Sequence, residues 1–365
     1  MSTAACFAPD YRTARALFVE AAAAAGGRLE AISHPAPGPD AAPVFCDLAW
    51  FGDREAEAVL VAISGTHGVE GFAGSGAQVD WLRRGGAARL PRDVAVLLIH
   101  GVNPHGFAWL RRVTHENVDL NRNWIDFTAP LPDNPGYDAL APAIEPAAWT
   151  AGVRSDVEAA ITAYAGTHGR AAVGLALSGG QYRHPTGVYY GGAAPTWSRR
   201  TQTAIFETYL GQAGRIGVLD VHTGLGPRGV GEQIVTAPRS SDRFRRARSW
   251  YGGAVTSTYD GSSSSAALVG DGLSAAPDLL PHADVTAMAL EFGTLPTEEV
   301  IWAVIADNWL HAHGDPLGPL ARDIKRDIRA AFYVDADDWK GMVAGQFELA
   351  CRQALRGLAS RATRP

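Results

Sequence analysis

The stretch VLVAISGTHGVE, residues 59–70, joins a predicted strand to a polar turn. Its first half, VLVAIS, is an apolar run of the length typical of a strand that is covered on both faces of a sheet. Its second half places His67 and Glu70 three residues apart, so one helical turn after the strand would project both side chains from the same face. Glycines beside His67 allow the backbone to turn sharply there. The stretch therefore predicts a strand that ends at a polar pair.

Similar apolar runs recur along the chain and alternate with segments of helical periodicity. The runs cover residues 94–99, 171–177, 216–221 and 286–290, and the helical segments cover 75–84, 155–164 and 197–210. This alternation predicts an α/β fold of three layers, with a mostly parallel or mixed sheet and helices on both faces. In such sheets ligands bind beyond the carboxyl ends of the strands.

Two further polar islands, DVHTG around His222 and LEFGT around Glu291, also follow predicted strands. A His-x-x-Glu pair or a lone histidine at a strand end is often structural, so the prediction rests on their convergence. A mononuclear zinc hydrolase requires three protein ligands, one position open for water and a separate carboxylate that takes the proton of that water. We therefore predict an enzyme with one Zn²⁺ per chain, bound by His67, Glu70 and His222.

A fourth motif lies between the first two islands. It reads NPHGFAWLRR at residues 103–112 and continues as NVDLNRNW at 117–124. In this order the motifs resemble the zinc carboxypeptidase (carboxypeptidase A-like) superfamily over residues 60–300. They most resemble an uncharacterised bacterial branch, described only as a domain of unknown function, and the related succinylglutamate desuccinylase and aspartoacylase group. The resemblance implies a zinc carboxypeptidase-like fold.

The resemblance also implies roles around the metal. His67, Glu70 and His222 would bind zinc, and Glu291 would be the general base that activates the attacking water and carries its proton to the leaving group. Asp119 would lie behind His67 and fix its tautomer, since histidines that bind metals usually donate their other ring N–H to a carboxylate or carbonyl.

On the substrate side, the resemblance assigns Asn121 and Arg122 to the grip on a substrate carboxylate. Arginine suits this role because its planar fork makes two parallel charge-assisted hydrogen bonds. Arg112, or else Arg111, would polarise the scissile carbonyl and stabilise the tetrahedral oxyanion.

Other segments near the expected pocket are less specific. The loop 178–192, rich in glycine and tyrosine, can either wall the pocket or pack on its own aromatic side chains. In the first case Gln181, Tyr182 or Arg183 would touch the substrate. The pocket tyrosine of digestive carboxypeptidases has no clear counterpart, although Tyr251 and Tyr259 lie in the expected stretch.

Three functions remain open from the sequence. The first is an amidohydrolase of the metallocarboxypeptidase type, which cleaves an amide or peptide bond in a small substrate that bears a carboxylate. The second is an N-acyl amino acid deacylase or esterase of the desuccinylase/aspartoacylase type. The third, a catalytically silent binding protein, is disfavoured because all three ligands and Glu291 are present.

Length and composition bound the organisation of the chain. We expect its 365 residues to form a single catalytic domain, with a core at about 55–315, an N-terminal helix at 11–25 and a C-terminal helical extension. The extension would comprise helices at 298–311, 318–332 and 339–358. The tract GSSSS at 261–265 is expected to be a mobile loop.

Charge, cysteines and hydropathy exclude several classes. The net charge of −6 disfavours a nucleic-acid binder, and the arginines between 243 and 248 fit a solvated helix face. Three cysteines without metal-ligand or redox spacing indicate no disulfide framework. No signal peptide and no run of membrane-spanning length is evident, so we expect a cytoplasmic protein that acts without a membrane.

Overall fold

The computed structural model describes residues 2–360, and within them eight strands form one mixed sheet. The strands lie in the order β1-β2-β4-β3-β5-β8-β6-β7, and the four central ones (β4, β3, β5 and β8) run parallel. The strands are β1 (Arg28–Ser33), β2 (Phe45–Phe51), β3 (Ala58–Ile63), β4 (Val94–His100), β5 (Arg215–Arg228), β6 (Gly231–Val235), β7 (Thr256–Ser257) and β8 (Asp284–Gly293).

Both faces of the central strands are buried, as the apolar runs predict. In β3, Leu60 and Ala62 pack into one hydrophobic core, whereas Val59, Val61 and Ile63 pack into a second core on the opposite face. Successive side chains of a strand point to opposite faces, so an uninterrupted apolar run fits a strand with a helix layer on each side. The predicted three-layer α/β fold is confirmed.

The described part of the chain contains twelve α-helices. They are α1 (Tyr11–Ala24), α2 (Gly71–Arg83), α3 (Pro104–Ala108), α4 (Pro135–Ile144), α5 (Val153–His168), α6 (Arg170–Ser178), α7 (Trp197–Leu210), α8 (Asp242–Tyr251), α9 (Gly272–Leu279), α10 (Thr297–Ala312), α11 (Ala321–Phe332) and α12 (Asp337–Ala359). Helices α1, α2, α8 and α12 cover one face, and α7 and α9 cover the other. The buried side of α12 thus belongs to the main core.

The strand prediction for residues 171–177 is wrong, because this segment lies in α6. Three alanines give the run high helix propensity, and it packs with α4, α5 and α10 in a separate hydrophobic cluster, away from the sheet. The apolar runs did not indicate β1, which is largely exposed, nor β2 and the short strands β6 and β7.

No helix within residues 2–360 has both the length and the apolar character needed to cross a membrane. The longest helix, α12, spans 23 residues and is amphipathic. Most of its charged side chains, among them Arg352, lie on the exposed side, whereas Lys340 is buried.

The parallel strands bring the three polar islands to one edge of the sheet. His222 of β5 and Glu291 of β8 are register partners, and the turn with His67 follows the neighbouring strand β3. This turn, a 3₁₀ helix at Gly68–Glu70, packs tightly against α3. A Cβ atom at Gly68 would overlap the backbone of Gly106 and Phe107, so only glycine fits there.

We predict that Gly68→Ala lowers the free energy of unfolding by about 1–3 kcal/mol, the usual cost of overpacking a buried site. The neighbouring backbone must move to admit the methyl group, and His67 and Glu70 must move with it. Urea denaturation measures the change. As the control, Gly341→Ala in α12 meets no atom within 4 Å and should raise the free energy of unfolding by about 0.5–1 kcal/mol. Equal effects of the two substitutions would contradict the tight packing at Gly68.

Candidate metal centre

The side chains of His67, Glu70 and His222 converge at the carboxyl edge of the sheet. One donor atom from each lies within 4.8 Å of the others, and all three residues are buried. His67 Nδ1 is 3.0 Å from Glu70 Oε1, and His222 Nδ1 is 3.2 Å from Glu70 Oε2. The structure therefore brings together the three residues that the sequence analysis assigned to the metal.

The outer nitrogens of the two imidazoles are fixed by carboxylates. His67 Nε2 lies 3.0 Å from Asp119 Oδ1, and His222 Nε2 lies 2.9 Å from Asp220 Oδ2. His67 Nε2 also lies 3.0 Å from Arg112 Nη2. When the carboxylate accepts the Nε2 proton of a neutral imidazole, the ring keeps the lone pair of Nδ1 for a ligand. His67 Nδ1 is buried, and although Glu70 Oε1 lies 3.0 Å away, no described residue is aligned to form a hydrogen bond with it. An orphaned nitrogen beside a carboxylate and a second imidazole fits a bound metal ion.

Charges compensate one another inside this cluster. Burial would raise the pKa of Glu70, but His67, His222 and Arg112 outweigh burial and lower it. Burial likewise would lower the pKa of His222, but the Asp220 and Glu70 carboxylates raise it well above its ordinary value. A cation among these residues would replace the proton that His222 otherwise holds.

Asp220 is a functional candidate that the sequence analysis missed. It precedes His222 by two residues in β5, so both side chains point to the same face of the strand. Thr66 Oγ1 lies 2.9 Å from both Asp220 oxygens and donates its proton to the carboxylate. The Asp-x-His spacing within a predicted strand was the available signal.

Arg112 contacts both Asp119 and Glu70. It is one of the two arginines that the resemblance assigned to the scissile carbonyl. Its Nε donates to Asp119 Oδ2 at 3.0 Å, and its Nη1 donates to Glu70 Oε1 at 2.8 Å. Arg111 points elsewhere, toward Asp307 at 3.4 Å. The structure thus places Arg112, and not Arg111, beside the three converging side chains.

Glu291 faces the same cavity without joining the three-residue cluster. Its Oε1 accepts a hydrogen bond from the backbone N–H of Leu225 at 3.1 Å. Burial and the nearby Glu70 carboxylate raise the pKa of Glu291 to about 8, against the lowering effect of His222 and Arg112. Its proton affinity is therefore high for a carboxyl group, which suits a group that accepts and returns a proton.

Asn121 and Arg122 also line this cavity. Arg122 is only 2% exposed, and part of its hydrogen-bonding capacity is used by the protein. Its Nε donates to the Ser178 carbonyl at 3.1 Å, and its Nη1 donates to the Asn121 carbonyl at 3.0 Å. Since a guanidinium has five N–H groups, the remaining ones can still contact a ligand.

The cavity has a volume of about 290 Å³ and a mixed lining. His67, Glu70 and His222, together with Glu291 and the arginines, form its polar end. Apolar side chains form much of the remaining wall, and they include Leu177, Leu225, Leu268, Leu273, Val300 and Ile301. A ligand with one polar end and one apolar part fits this lining.

The loop 178–192 walls this cavity, but with residues other than those predicted. Ser178 and Tyr189 line it, whereas Gln181, Tyr182 and Arg183 do not. Tyr182 instead donates its hydroxyl proton to the Arg122 carbonyl at 2.6 Å. The sequence offered no signal that distinguishes Tyr189, whose backbone adopts the left-handed region with φ of 53°.

The two tyrosines considered for the pocket lie outside it. Tyr251 is buried in the main core, and Tyr259 is 57% exposed.

The serine tract contributes more than expected, because Ser264 and Ser265 line the cavity. The arginines of α8 are largely exposed, and Arg246 Nε donates to Thr286 Oγ1 at 2.6 Å.

A family model described as "Protein of unknown function (DUF2817)" matches residues 7–346 of the chain. This match confirms the prediction of an uncharacterised family. No curated protein matches the chain.

Several solved structures are similar at low sequence identity. Bovine thrombin-activatable fibrinolysis inhibitor, in complex with tick carboxypeptidase inhibitor, is 11% identical, with a TM-score of 0.48 over 95% of this chain and 97% of that chain. Carboxypeptidase A from Helicoverpa armigera is 11% identical, with a TM-score of 0.45 over 88% and 73%. An aspartoacylase family protein from Mesorhizobium loti is 14% identical, with a TM-score of 0.38 over 79% and 67%. Both enzyme groups that the motifs resemble are thus among these similar structures.

In protein freed of metal by a chelator, we predict that His222 titrates above its ordinary pKa of 6.5 and that Asp220→Asn lowers this pKa. The stability that protonated His222 contributes is present below its unfolded pKa and is lost as the pH rises through the raised folded pKa. NMR titration of the imidazole measures both values. Asp338→Asn, at an exposed carboxylate paired with Arg228, is the control and should leave His222 unchanged. A wild-type pKa at or below 6.5 would contradict the assigned electrostatics.

Proposed function

The chain belongs to the DUF2817 family, and we propose that it is a zinc-dependent hydrolase that cleaves an amide or peptide bond in a small substrate with a carboxylate. One observation carries this proposal. Three residues, His67, Glu70 and His222, converge in one buried cluster. Glu291 lines the cavity next to this cluster but is not one of its three residues. A three-residue ligand set leaves a position for water, and a separate carboxylate is available for proton transfer.

The donor set fits zinc. Two imidazole nitrogens and one carboxylate are ligands typical of catalytic zinc sites, whereas magnesium and calcium favour oxygen donors. Zinc held by His67, Glu70 and His222 would supply a Lewis acid and lower the pKa of a water molecule. Asp119 and Asp220 orient the two imidazoles through the hydrogen bonds described above.

Glu291 supplies proton transfer in this proposal. The backbone N–H of Leu225 fixes Oε1, so Oε2 is the oxygen that takes the proton of the attacking water and passes it to the leaving group. A raised pKa favours the proton-holding state between these two events. Arg112, whose fork is oriented by Asp119 and Glu70, stabilises negative charge that develops on the scissile carbonyl.

An N-acyl amino acid deacylase or esterase is the second candidate function. The hydrogen bonds that Arg122 makes within the protein support this candidate. Several Arg122 N–H groups already bind the carbonyls of Ser178 and Asn121. Fewer donors are therefore free for a terminal substrate carboxylate. The apolar wall of the cavity accommodates an acyl chain as readily as an amino-acid side chain.

We predict that two variants separate metal binding from proton transfer. His222→Ala should lose the metal and the hydrolytic activity, because two ligands bind zinc poorly. Glu291→Gln should keep about one zinc per chain and lose roughly 10²–10⁴-fold in turnover, the usual contribution of general acid–base catalysis. Metal analysis and assays on C-terminal peptides and N-acyl amino acids measure both effects. His313→Ala, at an exposed imidazole, is the control; a fully metallated His222→Ala or a fully active Glu291→Gln would refute the assignment.

A further prediction tests whether Arg122 reads a substrate carboxylate. Hydrogen bonds to charged groups contribute about 1.5–3 kcal/mol, so amidation of that carboxylate should lower kcat/KM roughly ten- to a hundredfold in the parent enzyme. In Arg122→Ala the ratio between acid and amide substrates should shrink toward one. This ratio does not change if part of the variant is unfolded. Arg183→Ala, whose side chain is 64% exposed, should keep the parent ratio; the same result in Arg122→Ala would favour the deacylase or esterase.

A further inference from the structure

A second cavity, of about 350 Å³, lies beside the segment that carries Arg112. Its polar and aromatic lining includes His105, Trp109, Arg111, His115, Asn117 and His311. Within residues 2–360, the linings of this cavity and of the metal-site cavity have no residue in common. Arg111 and Arg112 are consecutive, yet their side chains belong to different cavities.

Two cations and one carboxylate meet at Arg111, which lines this second cavity. Arg111 is only 4% exposed, and the Asp307 carboxylate lies 3.4 Å from its Nε. The other Asp307 oxygen accepts a hydrogen bond from Lys325 Nζ at 2.5 Å. Within residues 2–360, no second carboxylate forms an ion pair with either cation. Two cations thus share one carboxylate, and a buried charge without its own partner is unfavourable.

The imidazole of His311 is neutral and adds no positive charge to the cavity. Burial, with Arg111 and Lys325 adding to it, lowers the pKa of His311 to about 2. Lys325 Nζ lies 2.7 Å from His311 Nε2 and donates to it, so the ring proton of His311 is on Nδ1. Neutral imidazoles of this kind offer an N–H to an anion. The Nδ1 atom of His105 is buried and has no hydrogen-bond partner within the described chain.

Trp109 adds an apolar wall between the two histidines. Its ring stacks on His105 with centroids 5.8 Å apart, and His311 meets it edge-on at the same distance. A ring held in this way packs against the carbon skeleton of a small ligand, while Arg111 binds the charged end.

We propose that this second cavity binds a small anion, a carboxylate or a phosphate, at Arg111. The missing counter-charge, the neutral imidazoles and the aromatic wall together define the ligand. The cavity volume is at the lower end of the range for small-molecule sites, which limits the ligand to a compact molecule.

The proposed anion site is connected to the metal-site segment by hydrogen bonds that involve backbone atoms. The Arg111 carbonyl accepts from the N–H of Val69 at 2.8 Å, next to Glu70. Asn117 Nδ2 donates to the Gly187 carbonyl at 3.2 Å, two residues before Tyr189. An anion bound to Arg111 therefore restrains this segment, and the Val69 N–H should exchange with solvent more slowly when the anion is bound.

The indole N–H signal of Trp109, assigned through its absence in Trp109→Phe, provides a local NMR probe. Inorganic phosphate and benzoate, titrated separately, distinguish phosphate from organic carboxylate ligands. We expect at least one of them to shift this signal in the wild type and to bind at least about tenfold more weakly in Arg111→Met, from the usual strength of charged hydrogen bonds. Arg326→Met, at an exposed arginine, and Arg122→Met, in the other cavity, should bind as the wild type does.

A second variant covers the case in which Arg111→Met does not fold. Ala312→Glu places a fixed carboxylate at the cavity lining, so it should weaken probe binding at least about tenfold, while Ala312→Gln should not. The proposal is overturned if neither probe moves the Trp109 signal in the wild type, or if binding survives in a folded Arg111→Met. Where Arg111→Met does not fold, binding that survives in Ala312→Glu overturns it. Loss of binding in Arg122→Met alone would also overturn it, because the anion would then lie in the metal-site cavity.

Discussion

The carboxylate of Glu70 ties together the three chain segments on which the candidate metal centre is built. Its Oε1 accepts from Arg112 at 2.8 Å, and its Oε2 accepts from the backbone N–H of Thr223 at 2.9 Å, beside His222 in β5. A fully buried carboxylate is unfavourable unless such partners surround it. The turn after β3, the segment that carries Arg112 and strand β5 must therefore be arranged so that the Glu70 carboxylate keeps these hydrogen-bond partners.

Much of the fold was predictable because its signals are local. The apolar run at 59–64 and the helical period at 197–210 are contained within one element each, and α7 matches the latter at both ends. The run at 171–177 shows the limit, since a short apolar segment fits a buried strand or a buried helix equally well. Its alanines and its packing partners in α4 and α5 decided the matter.

The candidate site was predictable only where a short motif carries the chemistry. His67 and Glu70 share one turn, and His222 in β5 pairs with Glu291 near the end of the neighbouring β8, so strand assignment alone brings them together. Tyr189 and the imbalance of charge around Arg111 depend on contacts between distant segments, which no spacing in the sequence reveals. The choice between Arg111 and Arg112 is of the same kind, because adjacent residues can face different cavities.

The two edge strands of the sheet affect how copies of the protein can associate. One edge is β1, which is largely exposed and carries Arg28 and Glu30, and the other is β7, which has two residues. An exposed strand edge can pair with a strand of another molecule, and charges or a very short strand oppose this. The sheet thus combines a strongly apolar interior with edges that disfavour aggregation through added strands.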